Sequence, residues 1–220
     1  MKLIASWALL CLAAYLIGSI PFGYLAGKLL HKKDIRAGGS GSIGATNALR
    51  QYGLKTGIMV LVLDLLKGLL VASLLLYVVP DLMGRSGLAV PAARFVFLLP
   101  ALAVILGHMF PVSLNFKGGK GVATAAGVFL ILAPVPLLIA LVVFVIVTAA
   151  GRYVSLGSIL AAVALVVAEA LWNLLRKDAP GFPWLTLIVA LLVIYKHRQN
   201  IQRLLAGREN RLDFHKKDRA

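Results

Sequence analysis

Apolar runs long enough to cross a bilayer recur along the whole chain and constrain its fold more than any other feature. A transmembrane helix needs about 20 apolar residues to cross roughly 30 Å of hydrocarbon. Hydrophobic residues make up 60% of the 220-residue chain, above the roughly 45–50% of a soluble domain. The sequence therefore predicts an all-α membrane protein, a polytopic helical bundle. The apolar segments are 4–30, 54–79, 88–112, 122–150, 154–175 and 182–195.

Basic residues flank these segments and predict an orientation. The formal net charge is +15, and Lys and Arg concentrate in residues 31–55 and 196–219. Basic loops stay in the cytoplasm, so we place both of these regions there and the N-terminus outside. No basic stripe with interleaved aromatic residues is visible, so nucleic-acid binding is not expected.

The fourth apolar segment predicts a helical hairpin. Lys117, Lys120 and Arg152 should all be cytoplasmic, but a single span would put Arg152 on the opposite face. Pro134 and Pro136 lie midway, where proline ends or kinks a helix. We therefore expect a hairpin that turns at these prolines and about seven transmembrane helices, with the C-terminus in the cytoplasm.

The loop after the first segment has the composition of an anion site. Glycines allow successive N–H groups to point into one concavity, and an arginine offers a bidentate fork suited to phosphate. A helix that begins near Ala45 would add its positive N-terminus. The alternative is an ordinary Gly/Ser surface loop. The candidate residues are Gly39, Ser40, Gly41, Ser42, Gly44, Thr46, Asn47 and Arg50.

A second glycine loop follows the third apolar segment and combines glycines with lysines. It is not a nucleotide-binding P-loop, because Gly121 stands where Ser or Thr would bind magnesium. The two interpretations are a phosphate site and a tight turn whose lysines set topology. The candidate residues are Lys117, Gly118, Gly119, Lys120 and Gly121.

Three polar residues inside apolar segments have either a structural or a substrate-binding role. Asp64 and Lys67 lie three apart on one helical face, and ionisable residues are costly there. They are either a mutually neutralising pair, or Lys67 reaches a bound anion. His108, near the end of its segment, is either a packing residue or a substrate contact.

The region after the last apolar segment could form a catalytic helix. His197 and Asn200 share a helical face, and Arg203 lies one turn further. A histidine beside an asparagine could orient a hydroxyl and accept its proton. The alternative is an amphipathic helix attracted to anionic lipid. Gly207 is a plausible end for this helix.

Together these motifs resemble the bacterial acyl-phosphate:glycerol-3-phosphate acyltransferase family, often called PlsY. The family's first motif, G-S-G-N-x-G-A-T-N-x-x-R, is similar to residues 39–50, with Ser42 where Asn is usual. The second is similar to 106–109 and 116–124. The resemblance runs from about Gly18 to Glu209. The third motif matches Arg152 to Ser155, then His197, Asn200, Ile201, Arg203, Gly207 and Glu209.

The resemblance implies a specific reaction at the inner membrane of a bacterium, with the site facing the cytoplasm. A fatty acyl group would pass from acyl-phosphate to the sn-1 hydroxyl of glycerol 3-phosphate, giving 1-acyl-glycerol 3-phosphate and phosphate. No cofactor, metal or obligate protein partner is implied; the partners would be these substrates and membrane lipids. We expect one domain over 1–209 and a basic cytoplasmic tail at 210–220.

The resemblance also implies roles for residues. The expected catalytic residues are His197, Asn200, Ser40, Arg50 and Lys120. The remaining loop residues are expected to bind substrate, together with Lys67, His108, Ser155, Arg203 and Glu209. We hypothesise direct attack by the glycerol hydroxyl, with the proton accepted by His197 or by a substrate phosphate.

Rival functions fit the sequence less well. A transporter of phosphorylated metabolites would place polar residues near the bilayer midplane and often shows an internal repeat, whereas here the polar clusters lie at one surface. Other glycerolipid acyltransferases carry H-x-x-x-x-D, which no histidine of this chain provides. Cys11, the only cysteine, rules out a disulfide framework.

Overall fold

Every regular element of the described chain is a helix. The structure is a computed structural model that describes residues 2–85, 98–176 and 181–212. Part of the third predicted apolar segment and most of the predicted tail therefore lie outside the described residues. The helices are α1 (Lys2–Gly18), α2 (Phe22–Leu30), α3 (Ala45–Ser73), α4 (Val79–Arg85), α5 (Leu98–Met109), α6 (Val122–Leu132), α7 (Pro134–Gly151), α8 (Val154–Leu175), α9 (Pro183–Lys196) and α10 (Arg198–Leu205).

Four helical stretches among the described residues are long and apolar enough to cross a bilayer. Large apolar side chains lie on their surfaces; Leu138 and Val142 of α7, for example, are both 57% exposed. Such surfaces are unusual in a soluble protein and suit contact with lipid. The prediction of an all-α, multi-pass membrane protein is confirmed, whereas the count of seven and the orientation stay predictions. The long stretches are Ile4–Leu30, Ala45–Arg85, Pro134–Gly151 and Val154–Leu175, and shorter apolar helices cover Leu98–Leu114, Val122–Leu132 and Pro183–Lys196.

Proline and glycine divide the apolar segments. The first, expected as one helix, is broken before Pro21, which cannot donate a helical N–H bond. The predicted break within 122–150 occurs at Ala133 (φ −147°, ψ 64°), directly before Pro134. That break is confirmed, and the hairpin turn stays a prediction. Within α3, Gly53 (φ 85°, ψ 177°) interrupts the helical backbone.

The chain divides into two compact units, Met1–Leu132 and Ala133–Ala220. In the first unit α1 packs on α5, and α3 packs on α2, α5 and α6. Gly68 of α3 and Gly127 of α6 lie against the backbone of the other helix, because small residues permit such close approach.

In the second unit α8 packs on α7 and on α9, and the short helix α10 contacts α8 and α9. Glu169 of α8 is 1% exposed. Its Oε1 accepts the backbone N–H of Phe182, just before α9, at 2.7 Å. This bond ties the end of α8 to the start of α9. The expected single domain over 1–209 and the tail boundary stay predictions.

Candidate active site

The side chain of Asn47 organises the first glycine loop. Its Nδ2 donates to the carbonyl oxygens of Ile35 (3.0 Å), Gly38 (3.3 Å) and Ser42 (2.7 Å). Its Oδ1 accepts the N–H of Ser40 at 2.9 Å. The amide therefore holds the shape of the loop, and the substrate contact expected for Asn47 stays a prediction.

The electrostatics of this loop suit an anion. Helix α3 begins at Ala45, as predicted, so its positive N-terminus lies at the loop, with Arg50 in the second turn. Asp34, the acid of this region, is bound by Arg36 at 2.7 Å. The hydrogen bond from Arg36 lowers the pKa of Asp34 to about 2. The Asp34 carboxylate is therefore ionised, and the positive charge of Arg36 balances its negative charge.

Two backbone hydrogen bonds hold the second glycine loop against the end of α5. The N–H of Gly118 donates to the carbonyl of Met109 at 3.2 Å, and that of Gly119 to the carbonyl of His108 at 3.0 Å. Helix α6 starts at Val122, immediately after the loop. Its N-terminus adds a second positive helix end beside a lysine-bearing loop.

A buried polar cluster lies behind this loop. Lys67 Nζ is 2.8 Å from Asp64 Oδ1, 2.8 Å from His108 Nδ1 and 3.2 Å from the carbonyl of Ile20. The side chains of Asp64 and Lys67 are each 3% exposed and that of His108 is 4% exposed. Two of the candidate binding residues, Lys67 and His108, are therefore in direct contact.

In the second unit a tight turn brings Glu209 back onto α10. The N–H of Arg208 donates to the carbonyl of Arg203 at 2.8 Å. Gly207 takes the left-handed conformation (φ +64°) that this kind of helix ending requires. The predicted end of the helix is confirmed, and the chain reverses there.

The Glu209 carboxylate accepts three side-chain hydrogen bonds, and we call this residue and its three donors the Glu209 cage. Its Oε1 accepts from Asn200 Nδ2 at 2.7 Å and from Ser155 Oγ at 3.0 Å, and its Oε2 accepts from Arg203 Nε at 2.8 Å. Burial would raise the pKa of Glu209, but the hydrogen bonds from Arg203, Asn200 and Ser155 outweigh it. They hold that pKa below its ordinary value of 4.5. The ionised carboxylate therefore fixes the Asn200 amide.

His197 lies at the junction of α9 and α10 and is 2% exposed. Its Nδ1 is 2.8 Å from the carbonyl oxygen of Val193. A carbonyl oxygen can only accept, so Nδ1 carries a proton and the lone pair of the neutral ring lies on Nε2. A histidine oriented in this way is suited to accept a proton.

The first unit thus carries two phosphate-suited loops, and the second carries an oriented imidazole and a fixed amide. The model of the family described as glycerol-3-phosphate acyltransferase matches residues 8–207. The chain belongs to this family. The resemblance seen in the sequence motifs is thereby confirmed.

Relatives in the glycerol-3-phosphate acyltransferase family match over nearly their whole length. The protein of that name from Syntrophotalea carbinolica is 45% identical over 206 residues, covering 94% of this chain and 97% of its own. The one from Trichlorobacter lovleyi is 48% identical over 199 residues, covering 90% and 93%.

Two solved structures of family members also match. Both are PlsY, described as an integral membrane glycerol 3-phosphate acyltransferase. The glycerol 3-phosphate form has a TM-score of 0.80 and 39% identity, and the lysophosphatidic acid form has 0.77 and 38%. Each comparison covers 94% of this chain and 96% of the other. This chain therefore shares the fold of these acyltransferases.

Within each unit the structure gathers most of the residues expected from the family motifs. In the second unit, the two parts of the third motif meet. In the first, Lys67 and His108 lie behind the second loop, and the half-buried Lys120 and exposed Lys117 lie on it. The cage residues of the second unit are Ser155, Asn200, Arg203 and Glu209.

Sequence reasoning missed two groups that hold these motifs in place. Gln51, four residues after Asn47, donates to the carbonyls of Ile35 (2.7 Å) and Gly38 (3.1 Å); the i,i+4 spacing was the available signal. Arg211, in a segment expected to be solvated, donates from Nε to the Tyr153 hydroxyl at 3.0 Å. Since 58 positions separate that pair, no local pattern predicts it.

Proposed function

We propose that this member of the glycerol-3-phosphate acyltransferase family is an enzyme that acylates glycerol 3-phosphate. A fatty acyl group passes from acyl-phosphate to the sn-1 hydroxyl, giving 1-acyl-glycerol 3-phosphate and inorganic phosphate. The observation that carries the proposal is the likeness along 94% of the chain to PlsY in its glycerol 3-phosphate form. The glycine loops and the His197–Asn200 helix of this chain supply chemistry that suits the reaction.

The enzyme's main task is to position its substrates. Acyl-phosphate is a mixed anhydride with a good leaving group, so the enzyme needs chiefly to align the hydroxyl and to neutralise charge on phosphate and carbonyl. Both substrates carry a phosphate, and the chain has two glycine loops beside helix N-termini. We assign Arg50, Lys120 and these loops to the phosphates, with Ser40 as a further donor.

The transfer proceeds in one displacement. The sn-1 oxygen of glycerol 3-phosphate attacks the acyl carbon, the bond from that carbon to the phosphate oxygen breaks, and phosphate leaves with the bonding electrons. The hydroxyl proton passes to His197 Nε2 or to a phosphate oxygen. Asn200, held by Glu209 at 2.7 Å, orients the hydroxyl. An acyl ester trapped on Ser40 would overturn this single-step route.

The site faces the cytoplasm of a bacterial inner membrane in this proposal. Within the described residues, four helical stretches are long enough to span a bilayer, and the three shorter apolar helices complete the seven spans of this proposal. The basic 31–55 and 196–219 regions favour the cytoplasmic side. The chain then turns outside near Pro134. The test uses Cys11→Ser protein with one cysteine introduced at 134. Labelling of that cysteine only from the cytoplasmic side contradicts the topology.

The activity test uses purified protein in lipid or detergent with palmitoyl-phosphate and labelled glycerol 3-phosphate. We expect lysophosphatidate to form, and Arg50→Ala and His197→Ala proteins that keep the unfolding temperature of the unmodified protein to lose it. Arg85→Met, on an exposed ion pair with Asp81, is the matched control and should keep full activity. Uptake of a labelled phosphate ester into proteoliposomes, without acylation, would indicate a transporter instead.

A further inference from the structure

The ammonium group of Lys67 links three separate elements of the first unit. It meets Asp64 of its own helix, the imidazole of His108 at the end of α5, and the carbonyl of Ile20 at the break between α1 and α2. Its Nζ lies 2.8 Å from Asp64 Oδ1 in an ion pair, and within hydrogen-bond distance of His108 Nδ1 (2.8 Å) and the Ile20 carbonyl (3.2 Å). Lys67 is thereby committed to protein groups.

This contact fixes the orientation of the His108 ring. His108 Nδ1 lies 2.8 Å from Lys67 Nζ, so this edge of the ring faces the Asp64–Lys67 pair. Asp64 Oδ1 lies 3.3 Å from the same Nδ1, so carboxylate and imidazole share the Lys67 ammonium. The ring is held from one edge, and its Nε2 edge is directed towards the second glycine loop.

The second loop rests directly on His108. The backbone of Gly119 lies so close to the ring that a Cβ there would overlap Nε2 and Cε1, and a Cβ at Gly118 would overlap the His108 carbonyl. The N–H of Gly119 is also bonded to that carbonyl at 3.0 Å. A rotated or displaced imidazole would therefore move the loop.

Stability alone is a weak reason for this arrangement. Replacing a buried ion pair by apolar residues of similar volume is often neutral or stabilising, and ionisable residues within membrane helices are costly. The side chains of Asp64 and Lys67 are each 3% exposed. A function that depends on their hydrogen-bond geometry accounts for them better than packing does.

We propose that Asp64 and Lys67 are positioning residues that orient His108, which in turn sets the position of the second glycine loop. In this arrangement Lys67 does not contact substrate. The loop's role as a phosphate site rests on the function proposed above. The expected consequence is a defect in the binding of one phosphate-bearing substrate, with the acyl-transfer step itself preserved.

The first test is a set of kinetic measurements on matched variants. Asp64→Leu/Lys67→Met removes both charges together, so no unpaired charge remains buried. We expect its unfolding temperature to equal or exceed that of the unmodified protein, its KM for one phosphate substrate to rise roughly tenfold, as when a positioning partner is lost, and its kcat to stay within about threefold. Arg85→Met, which breaks an exposed ion pair, is the control and should change neither.

The second test asks whether Lys67 acts through His108. If it does, adding His108→Ala to the Asp64→Leu/Lys67→Met protein should give the KM of His108→Ala alone, because both changes remove the same orientation. Additive effects would show that Lys67 acts on substrate by itself and would overturn the proposal. The proposal is also overturned if Asp64→Leu/Lys67→Met leaves the KM of both substrates unchanged.

A third measurement does not depend on catalysis. Phe116 precedes the loop and is 58% exposed, so a Cys11→Ala/Phe116→Cys protein reports loop position by its thiol-labelling rate. We expect Asp64→Leu/Lys67→Met to change that rate by at least about threefold, and an unchanged rate would contradict the proposal. If the unmodified protein shows no acyl transfer, the proposed function is wrong. The thiol-labelling rate at position 116 still shows whether Asp64 and Lys67 set the position of the second loop.

Discussion

Replacing Glu209 should disable the enzyme by releasing Asn200. Glu209→Ala removes the acceptor for Asn200 Nδ2 at 2.7 Å, Ser155 Oγ at 3.0 Å and Arg203 Nε at 2.8 Å. A hydrogen bond to a charged group contributes about 1.5–3 kcal/mol, and the share of Arg203, whose side chain is 32% exposed, is discounted for solvent screening. About 3 kcal/mol of restraint on the Asn200 amide is lost, which corresponds to a roughly hundredfold lower kcat/KM.

The assay is acyl transfer from palmitoyl-phosphate to glycerol 3-phosphate, run beside thermal unfolding in the same detergent. Ser155→Ala removes one of the three bonds and should cost only about fivefold. Arg208→Gln alters the exposed neighbouring side chain and serves as the control with unchanged activity. If Glu209→Ala keeps kcat/KM within twofold of the unmodified enzyme, the reasoning about the cage is refuted.

The remaining predictions each rest on one local feature. Because the folded pKa of Glu209 lies below its ordinary 4.5, its stabilising contribution is complete above pH 4.5 and is lost as pH falls through the folded value. The gap in unfolding temperature between the unmodified and Glu209→Gln proteins should therefore be constant from pH 5 to 8 and shrink in acid; a gap that widens in acid contradicts this sign. His197→Ala should lower kcat at least about a hundredfold, and a kcat within threefold removes its proposed role. Gly119→Ala should weaken substrate binding because a Cβ overlaps His108, whereas Gly84→Ala, with open space around it, should leave KM unchanged; equal KM values in both proteins would argue against the close contact. Gly207→Ala, at φ +64° with nothing near its Cβ, should lower stability by about 1 kcal/mol through backbone strain alone, and unaltered unfolding would exclude that strain.

The parts of the site that were predicted from sequence depend on local composition. Glycine and hydroxyl residues before Ala45 mark the first loop and the start of α3, and His197 and Asn200 lie three residues apart on one short region. The break before Pro134 follows from proline's missing N–H. Such features are encoded within a few residues, so a single sequence is sufficient to propose them.

The parts that were not predicted depend on contacts between distant residues. The Asn47 amide donates to the carbonyl of Ile35, 12 positions earlier, and nothing local indicates that partner. Glu209 entered only through the family motif, since its partner Ser155 is 54 positions away. The helical face of Asp64 and Lys67 could be read from their spacing, but the partnership with His108 could not.

The measurement that tests the central claim most directly is the stoichiometry of the reaction in the purified protein. Palmitoyl-phosphate and labelled glycerol 3-phosphate are supplied without acyl carrier protein or coenzyme A, and lysophosphatidate and inorganic phosphate are quantified together. The account predicts one lysophosphatidate for each phosphate released, with the acyl group at the sn-1 position. Phosphate release without lysophosphatidate, or product that forms only when an acyl thioester is added, would contradict it.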